Sequence, residues 1–198
     1  MNNNSVLLII SGPAGSGKNT VAERLMAEFP DKIERVITST SRLPRGSEVD
    51  GVDYHFLSSE AFEKAIDNGD FYEYAKVHDR YYGTSKAAIK NAWENGKDLI
   101  LIIDVQGAKT WKDIASKNPE LKKRMERIFI SPASINELRK RLLGRGTETQ
   151  EQIERRMTTA IEEFKQADSF ETKIDSTTKD ADFEKLKKIY LTKKESIK

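Results

Sequence analysis

Residues 6–19 read Val6-Leu7-Leu8-Ile9-Ile10-Ser11-Gly12-Pro13-Ala14-Gly15-Ser16-Gly17-Lys18-Asn19. The first five are apolar, and such a run predicts a strand buried on both faces. The glycines that follow permit a tight turn whose backbone N–H groups point at an anion. Residues 20–29 then predict a helix, and its positive N-terminal end would face the same anion. The stretch therefore predicts a strand–loop–helix unit that binds phosphate.

The loop itself has the pattern Gly-x-x-x-x-Gly-Lys, which is typical of loops that hold nucleotide phosphates. We predict that it binds ATP together with Mg²⁺ and that Lys18 reaches the outer phosphates. The predicted ATP-binding residues are Gly12, Pro13, Ala14, Gly15, Ser16, Gly17, Lys18, Asn19 and Thr20. Asn19 stands where a hydroxyl residue usually binds Mg²⁺, and the hydroxyl comes one position later, at Thr20. We expect nucleotide binding to survive this change.

Composition limits the classes of protein to consider. The 198 residues are enough to bury a hydrophobic core, and the absence of cysteine excludes disulfides and thiolate metal sites. The 34 Lys and Arg residues against 32 Asp and Glu leave a net charge of +2, so a nucleic-acid partner is not expected. Residues 1–5 lack a basic n-region, and the apolar run behind them is too short for a membrane span. We therefore expect a soluble, cytoplasmic protein.

Strands and helices alternate along the chain. Strand-like apolar runs lie at 6–10, 99–103, 127–130 and 170–174. Helix-like stretches lie at 20–29, 85–95, 134–143, 150–168 and 182–194. This order predicts the α/β class, with a P-loop NTPase-like parallel sheet and helices on both of its faces.

One region interrupts that alternation. The Pro-, Arg- and Gly-rich stretch 42–51 opens a mixed region at 38–92, which we predict to be a small α+β insertion that binds the acceptor. The P-loop core would then comprise residues 1–37 and 93–198, with a lid at about 144–156. The lysine-rich tail, 185–198, predicts a solvated helix face with a frayed end.

Asp104 is a candidate metal ligand because it follows the apolar run Leu99–Ile103. A buried strand that ends in a carboxylate beside a phosphate-binding loop can hold Mg²⁺ or its waters. An aspartate at the end of a strand can equally cap the following turn. The upstream loop favours the metal interpretation.

Two groups of arginines predict further phosphate contacts. Arg42 and Arg45 flank Pro44, and two guanidinium groups on such a rigid segment suit a phosphate dianion. The second group surrounds the glycine-flanked stretch 144–149 and consists of Arg141, Arg145, Arg155 and Arg156. It is typical of a lid that closes over donor phosphates and excludes water. A solvated basic turn and a charged surface hinge are the alternatives for the two groups.

Seven motifs in this order resemble the guanylate kinase family, over about residues 6–190. They are Ser11–Lys18, Ser41–Arg45, Asp50–Phe56, Gly69–Glu73, Tyr81–Thr84, Asp104–Gly107 and Arg145–Thr149. The resemblance implies a kinase that uses ATP and Mg²⁺ to phosphorylate GMP. The sequence leaves the choice between a monomer and a homodimer open.

The resemblance also implies roles for individual residues. The positions that match the GMP-binding set are Thr38, Arg42, Arg45, Tyr54, Glu73, Tyr82, Gly83 and Thr84. Within that set, two arginines and two tyrosines would hold the phosphate of GMP, and Glu73 would accept from guanine N1–H and the 2-amino group. The cations implied in catalysis are Lys18, Arg42, Arg45, Arg145 and Arg156. Taken one by one, the tyrosines could be ordinary half-buried strand residues and Glu73 a solvent-facing one.

Two further residues depart from the family's usual pattern, and two alternative functions stay open. Ile102 stands where the family usually has an acidic residue, and Asp175 stands near a family asparagine in the loop that contacts adenine. One alternative is a phosphopeptide-binding module of the same fold, which the intact Gly12, Gly17 and Lys18 disfavour. The other is a kinase that acts on a sugar phosphate, which offers no flat pair of donors for Glu73 to recognise.

Overall fold

The computed structural model describes residues 4–77, 79–144 and 150–197, without the side chain of Val77. In chain order, the elements are β1 (Leu7–Ser11), α1 (Lys18–Glu28), β2 (Ile33–Arg35), β3 (Ser39–Thr40), β4 (His55–Phe56), α2 (Ser59–Asp67), β5 (Phe71–Val77), β6 (Arg80–Ser85), α3 (Lys86–Glu94), β7 (Asp98–Ile102), α4 (Val105–Ser116), α5 (Pro119–Arg124), β8 (Met125–Ser131), α6 (Ile135–Leu143), α7 (Gln150–Phe164), β9 (Thr172–Asp175) and α8 (Lys179–Ser196).

The core is a parallel five-stranded sheet with the order β2-β7-β1-β8-β9. All five residues of the central strand β1 are buried. Leu8 and Ile10 pack in one apolar cluster with α1 and α8, whereas Leu7 and Ile9 pack in another with α3 and α4. The predicted α/β class, with helices on both faces of a parallel sheet, is confirmed.

A second, mixed sheet follows from residues 39–85 and has the order β4-β3-β6-β5. Strand β3 pairs in parallel with β4 and antiparallel with β6, which in turn pairs antiparallel with β5. Helix α2 covers this sheet through Phe62, whose ring stacks on Phe71 and Tyr81 at centroid distances of 4.5 and 5.2 Å. The register of β5 shifts between Phe71 and Glu73, so Tyr72 lies at a β-bulge. Bulges of this kind redirect side chains next to binding sites.

The predicted helix with a solvated, lysine-rich face is confirmed, whereas the expectation that its end is frayed is wrong. Helix α8 extends to Ser196, and it buries Leu186, Tyr190 and Ile197 against the core. The ammonium group of Lys194 donates to the carbonyl of Asn4 and to the Asp98 carboxylate, both at 2.7 Å. The lysines therefore line the outer side of a packed helix. In the part of the chain that the model describes, none of the helices has the length and apolar character that crossing a membrane requires.

Candidate nucleotide-binding site

The loop between β1 and α1 has the conformation that its glycines predict. Gly12, Gly15 and Gly17 all have positive φ, at 136°, 88° and 97°. A Cβ atom on Gly12 would lie 2.3 Å from the carbonyl oxygen of Ile130 in β8, so no larger residue can occupy this position unless the backbone moves. Gly17 is the N-cap of α1 and has no side chain to cap it, so the first N–H groups of the helix are left to an anion in the loop. This geometry creates an anion site at the end of the central strand.

Lys18 is held over this loop by the loop's own carbonyl groups. Its ammonium nitrogen donates to the carbonyl oxygens of Gly12 and of Pro13, the latter at 2.9 Å. Ser16 is buried, and its hydroxyl finds no hydrogen-bond partner among the described residues. Asn19 is exposed, whereas Thr20 lines the neighbouring cavity.

A cavity of about 320 Å³ lies on one side of the loop, and we call it the donor cavity. Gly15, Gly17 and Thr20 form its loop wall, and Arg141 of α6 and Thr177 lie on the other walls. The turn before α8 is fixed by the buried Asp182, which accepts from Ser176 Oγ at 2.5 Å and from Thr177 N at 2.9 Å. Asp175, the second departure from the family pattern, is exposed and lies 3.6 Å from the Lys173 ammonium.

A cavity of about 370 Å³ lies on the other side of the loop, and we call it the acceptor cavity. It brings together residues that are far apart in the sequence. The predicted site residues that line it are Gly12, Ala14, Lys18, Thr38, Tyr54, Glu73, Tyr82, Gly83 and Asp104. Both cavities share the loop, so a ligand in one is adjacent to a ligand in the other.

Glu73 lines the acceptor cavity and is bonded to the buried Thr84. Glu73 is 9% exposed and Thr84 is fully buried, and the Thr84 hydroxyl donates to Glu73 Oε1 at 2.6 Å. Burial raises the pKa of Glu73 above its usual range, the Thr84 hydrogen bond opposes this shift, and the nearby Asp104 adds to it. The interpretation of Glu73 as a solvent-facing residue is wrong. A buried carboxylate inside a cavity is costly unless a ligand's donors meet it.

Arg42 is held in a rigid setting beside this cavity. Its guanidinium group lies over the rings of Tyr54 and Phe56, 4.8 and 5.6 Å from their centroids. It also donates to both oxygens of Glu48, from Nη1 to Oε2 at 2.5 Å and from Nη2 to Oε1 at 2.8 Å. Glu48 holds the pKa of Arg42 above its usual range, and Tyr82 contributes to the same shift.

Arg45 is placed differently from Arg42. Its side chain is exposed, while its backbone N–H donates to Glu48 Oε2 at 2.8 Å. Glu48 therefore links both predicted phosphate-binding arginines. Sequence reasoning missed Glu48, and the only available signal was an acidic residue six and three positions after the two arginines.

Asp104 caps helix α4, which was the alternative to its interpretation as a metal ligand. Its Oδ1 accepts from the backbone N–H of Gly107 at 2.8 Å at the start of α4. The residue also lines the acceptor cavity, and the cap leaves its Oδ2 atom outside this bond. Within 4–77, 79–144 and 150–197, no group of three or more His, Asp or Glu side chains is placed to hold a metal ion. A Mg²⁺ here would thus take most of its ligands from phosphates and water, as Mg²⁺ commonly does.

Glu163 of α7 is a second site residue that sequence reasoning missed. It lines the acceptor cavity together with Lys18 and Asp104. Burial raises its pKa, the positive charge of Lys18 opposes the shift, and Asp104 adds to it. No sequence signal distinguishes it from the other acidic residues of this charged helix.

The predicted lid is only partly described. Arg145 lies outside the described residues, as does the rest of 145–149. Arg141 lines the donor cavity and pairs with Glu137 at 3.0 Å. Arg156 is exposed on α7 and is not among the residues that line either cavity. Helices α6 and α7 pack together through a cluster that includes Leu138 and contacts Ala14, so they rest on the phosphate loop.

Comparison with known proteins agrees with this geometry. The family model described as guanylate kinase matches residues 4–193. The guanylate kinase of Clostridioides difficile is 45% identical over 160 residues, which are 81% of this chain and 74% of that protein. The guanylate kinase of Campylobacter jejuni strain RM1221 is 39% identical over 188 residues, 95% of this chain and 89% of that protein.

A solved structure supports the fold independently. The crystal structure of guanylate kinase from Anaplasma phagocytophilum matches with a TM-score of 0.75 at 24% sequence identity, over 97% of this chain and 87% of that chain. With the phosphate loop, the two adjoining cavities and the family match over residues 4–193, this chain belongs to the guanylate kinase family.

Proposed function

We propose that this protein transfers the γ-phosphoryl group of ATP to GMP and releases ADP and GDP. The observation that carries the proposal is the buried Glu73, bonded to Thr84, in a cavity that Lys18 also lines. One end of that cavity can recognise a base, and the other lies on the phosphate loop. The donor cavity on the opposite side of the loop suits the second nucleotide.

In this proposal, Glu73 selects guanine. Its carboxylate would accept from guanine N1–H and the 2-amino group, while Oε1 also accepts from the Thr84 hydroxyl. Adenine lacks this pair of donors on the same edge, so the buried carboxylate would keep its bond from Thr84 but lose the two bonds from the base. Leaving a buried charged group short of donors is a strong means of rejecting the wrong ligand. Thr38 and Gly83 line the same end of the cavity and would complete the base-binding surface.

The acceptor phosphate would lie between Arg42, Tyr54 and Tyr82. The two tyrosine rings are 6.2 Å apart, the Arg42 guanidinium lies over the Tyr54 ring, and Tyr82 interacts with Arg42 and raises its pKa, so the three side chains are neighbours. Arg45 would join when its exposed side chain turns inward. In the transfer step, an oxygen of the GMP phosphate forms a bond to the γ-phosphorus as the bond to the bridging oxygen of ADP breaks. Lys18, and in the lid Arg145 and Arg156, would neutralise charge on the moving group.

The residues present suit a Mg²⁺ ion bound mainly through phosphates. Asp104 Oδ2 on the acceptor side of the loop is the protein oxygen that would hold it or its waters, and the Thr20 hydroxyl is the candidate on the donor side. The bound ion would neutralise charge on the transferring phosphoryl group. The apolar Ile102 replaces the acidic residue expected in the family, so Asp104 would carry this role alone on the β7 side. A cytoplasmic location, the absence of a nucleic-acid partner and the choice between monomer and homodimer stay predictions from the sequence.

The test is an acceptor panel in a coupled assay for ADP, with ATP as the donor. We expect turnover with GMP that exceeds turnover with AMP or a hexose phosphate by at least about a hundredfold, because only GMP offers Glu73 its donor pair. Equal rates with GMP and AMP would refute the role of Glu73. Turnover confined to the sugar phosphate would favour the alternative kinase. Binding of a phosphopeptide without any ATP affinity would favour the binding module.

A further inference from the structure

A third cavity, of about 370 Å³, lies where β5 and α3 meet α5, away from the phosphate loop. We call it the junction cavity. The lining residues that matter here are Tyr72, Lys86, Lys90, Trp93, Glu120 and Arg124. They comprise two aromatic rings, three cations and one carboxylate. Its size falls within the range of small-molecule sites.

The cations of the junction cavity are held in place by the fold. Arg124 is only 6% exposed, and its guanidinium carbon lies 5.4 Å from the centroid of the Trp93 ring. Lys86 donates to the Gly69 carbonyl at 2.6 Å, which fixes its side chain at the rim. Lys90 is largely exposed, and its ammonium lies 3.8 Å from Glu94, so its charge is only weakly compensated.

Trp93 adds a second, independent observation. Its indole Nε1 is buried and has no hydrogen-bond acceptor among the described residues. A buried donor without a partner is uncommon and costs stability, and because Trp93 lines the junction cavity, a ligand acceptor that reached Nε1 there would relieve this cost. Together with the cations, this donor points to an anionic ligand with hydrogen-bond acceptors.

The aromatic walls narrow the ligand further. Tyr72 packs against Trp111 at a centroid distance of 4.9 Å, so its ring is held rigidly, and burial raises the pKa of its hydroxyl. Rigid rings and a stacked guanidinium group favour a planar heteroaromatic group, while lysines and arginine favour phosphate. We propose that the junction cavity binds a nucleoside phosphate and that this binding weakens the binding of GMP.

The link to GMP follows from the chain itself. Tyr72 and Glu73 are neighbours on β5 at the bulge, with Tyr72 in the junction cavity and Glu73 in the acceptor cavity. Lys86 likewise follows two residues after Thr84, the partner of Glu73. A ligand that contacts α3, α5 and Tyr72 ties the second sheet to the core in its present arrangement. Because the second sheet and the core both line the acceptor cavity, we infer that GMP draws the two together, and a ligand that holds them in their present arrangement would oppose this movement. The two ligands would then weaken each other's binding by the same factor.

The test uses tryptophan fluorescence, excited at 295 nm, while ATP, GTP, CTP and UTP are titrated separately into the full chain. Guanosine and tripolyphosphate serve as probes of the base alone and the phosphates alone. The variant is Lys90→Glu on the exposed rim, and its matched control is Lys122→Glu, an exposed lysine of α5 outside the cavity lining. Steady-state kinetics then give the KM for GMP at a saturating concentration of each nucleotide that binds.

We expect at least one nucleoside triphosphate to quench the emission saturably in the unmodified chain and in Lys122→Glu, with at least fivefold weaker binding in Lys90→Glu. The same nucleotide should raise the KM for GMP at least threefold, and Lys90→Glu should abolish that rise. Equal titrations in both variants would overturn the proposal, because binding would then be at the donor or acceptor cavity. The proposal would also be overturned if tripolyphosphate bound as tightly as the nucleoside triphosphate, because the base would then contribute nothing. An unchanged KM for GMP, or no quenching by any nucleotide, would overturn it as well.

Discussion

Arg42 and Glu48 face each other in a two-bond ion pair, with Nη1–Oε2 at 2.5 Å and Nη2–Oε1 at 2.8 Å. The side chain of Arg42 is 8% exposed and that of Glu48 is 24% exposed, so water screens this pair less than it screens a surface pair. Glu48 also accepts from the backbone of Arg45. One carboxylate thus fixes the segment that carries both arginines predicted to bind the acceptor phosphate.

Replacing Glu48 with Gln should weaken GMP binding. The amide keeps the shape of the side chain but loses the charge that orients the Arg42 guanidinium group over Tyr54. Hydrogen bonds to charged groups contribute about 1.5–3 kcal/mol, so we expect the KM for GMP to rise about tenfold or more. The KM for ATP should change little. Glu63→Gln, which alters only a bond to the Tyr81 hydroxyl, is the matched control. A lower KM for GMP in Glu48→Gln would show instead that Glu48 competes with the phosphate.

The same pair predicts a pH dependence of stability. The hydrogen bonds from Arg42, supported by the Arg45 backbone, lower the pKa of Glu48 to about 2. A carboxylate whose folded-state pKa is depressed contributes stability above its unfolded pKa of about 4.3. That contribution is lost as the pH falls from about 4.3 towards 2. The free energy of unfolding of the unmodified chain should therefore approach that of Glu48→Gln over this range. A difference that stays constant from pH 6 to pH 2.5 in urea titrations would contradict the prediction.

Glu73→Gln should impair the recognition of guanine without lowering the stability of the fold. The amide presents one acceptor and one donor, so it clashes with one of the two guanine donors, and we expect the KM for GMP to rise by about tenfold to a hundredfold. Because burial raises the pKa of Glu73, its ionised form is disfavoured in the folded state, and stability falls as the pH rises through that pKa. At pH 7, Glu73→Gln should thus be at least as stable as the unmodified chain. A destabilised variant with unchanged kinetics would assign Glu73 a purely structural role.

The central strand and the phosphate loop were predictable because local chemistry specifies them. An apolar run followed by glycines at 12, 15 and 17 admits few backbones, and β1, the loop and α1 lie where the sequence predicts them. The order of strands and helices likewise fixed the parallel sheet. Strand β2 and helices α2, α4 and α5 were not predicted. The start of α4 could have been predicted from Asp104, which caps this helix. We favoured the metal interpretation of Asp104 instead.

The site was less predictable, because its decisive contacts join distant residues. Thr84 and Glu73 are both ordinary strand residues until the β5–β6 register places one hydroxyl against one carboxylate. Glu163 reaches the acceptor cavity only because α7 packs onto α6 and the phosphate loop. Neither contact can be predicted from the local amino-acid composition. The resemblance to a family supplied Glu73 and Thr84, and it did not supply Glu48 or Glu163.

Gly12 and Gly17 offer a matched pair for the phosphate loop. Both have positive φ, but a Cβ on Gly12 would overlap the Ile130 carbonyl, whereas a Cβ on Gly17 would meet nothing within 4 Å. Gly17→Ala should therefore cost only backbone strain, about 1–2 kcal/mol of unfolding free energy. Gly12→Ala should cost more than about 3 kcal/mol, since β1 and β8 must move apart. Urea denaturation measures both, and equal losses would show that the close approach at Ile130 is not limiting.

Asp98 explains why the C-terminal helix is packed. It is 2% exposed, and its carboxylate accepts from Val6 N, the Tyr190 hydroxyl and the Lys194 ammonium, each at 2.7 Å. Asp98→Asn removes the charge and turns one acceptor into a donor that faces other donors. Breaking a buried, paired carboxylate in this way costs about 3–5 kcal/mol.

The expected result for Asp98→Asn is a large loss of unfolding free energy with normal kinetics at a temperature where the variant stays folded, because neither nucleotide cavity contains Asp98. Lys193→Met is the matched control, since it removes a single ion pair, with Glu126 at 3.3 Å. We expect it to cost less than Asp98→Asn, because Glu126 keeps its bond from the Thr172 hydroxyl. If both variants lost the same stability, the sequence-based expectation of a solvated, loosely held tail would be closer to the truth than the packed helix seen here. Amide hydrogen exchange in residues 186–197 would decide the matter, because a helix tied to Asp98 exchanges through global unfolding and a frayed one does not.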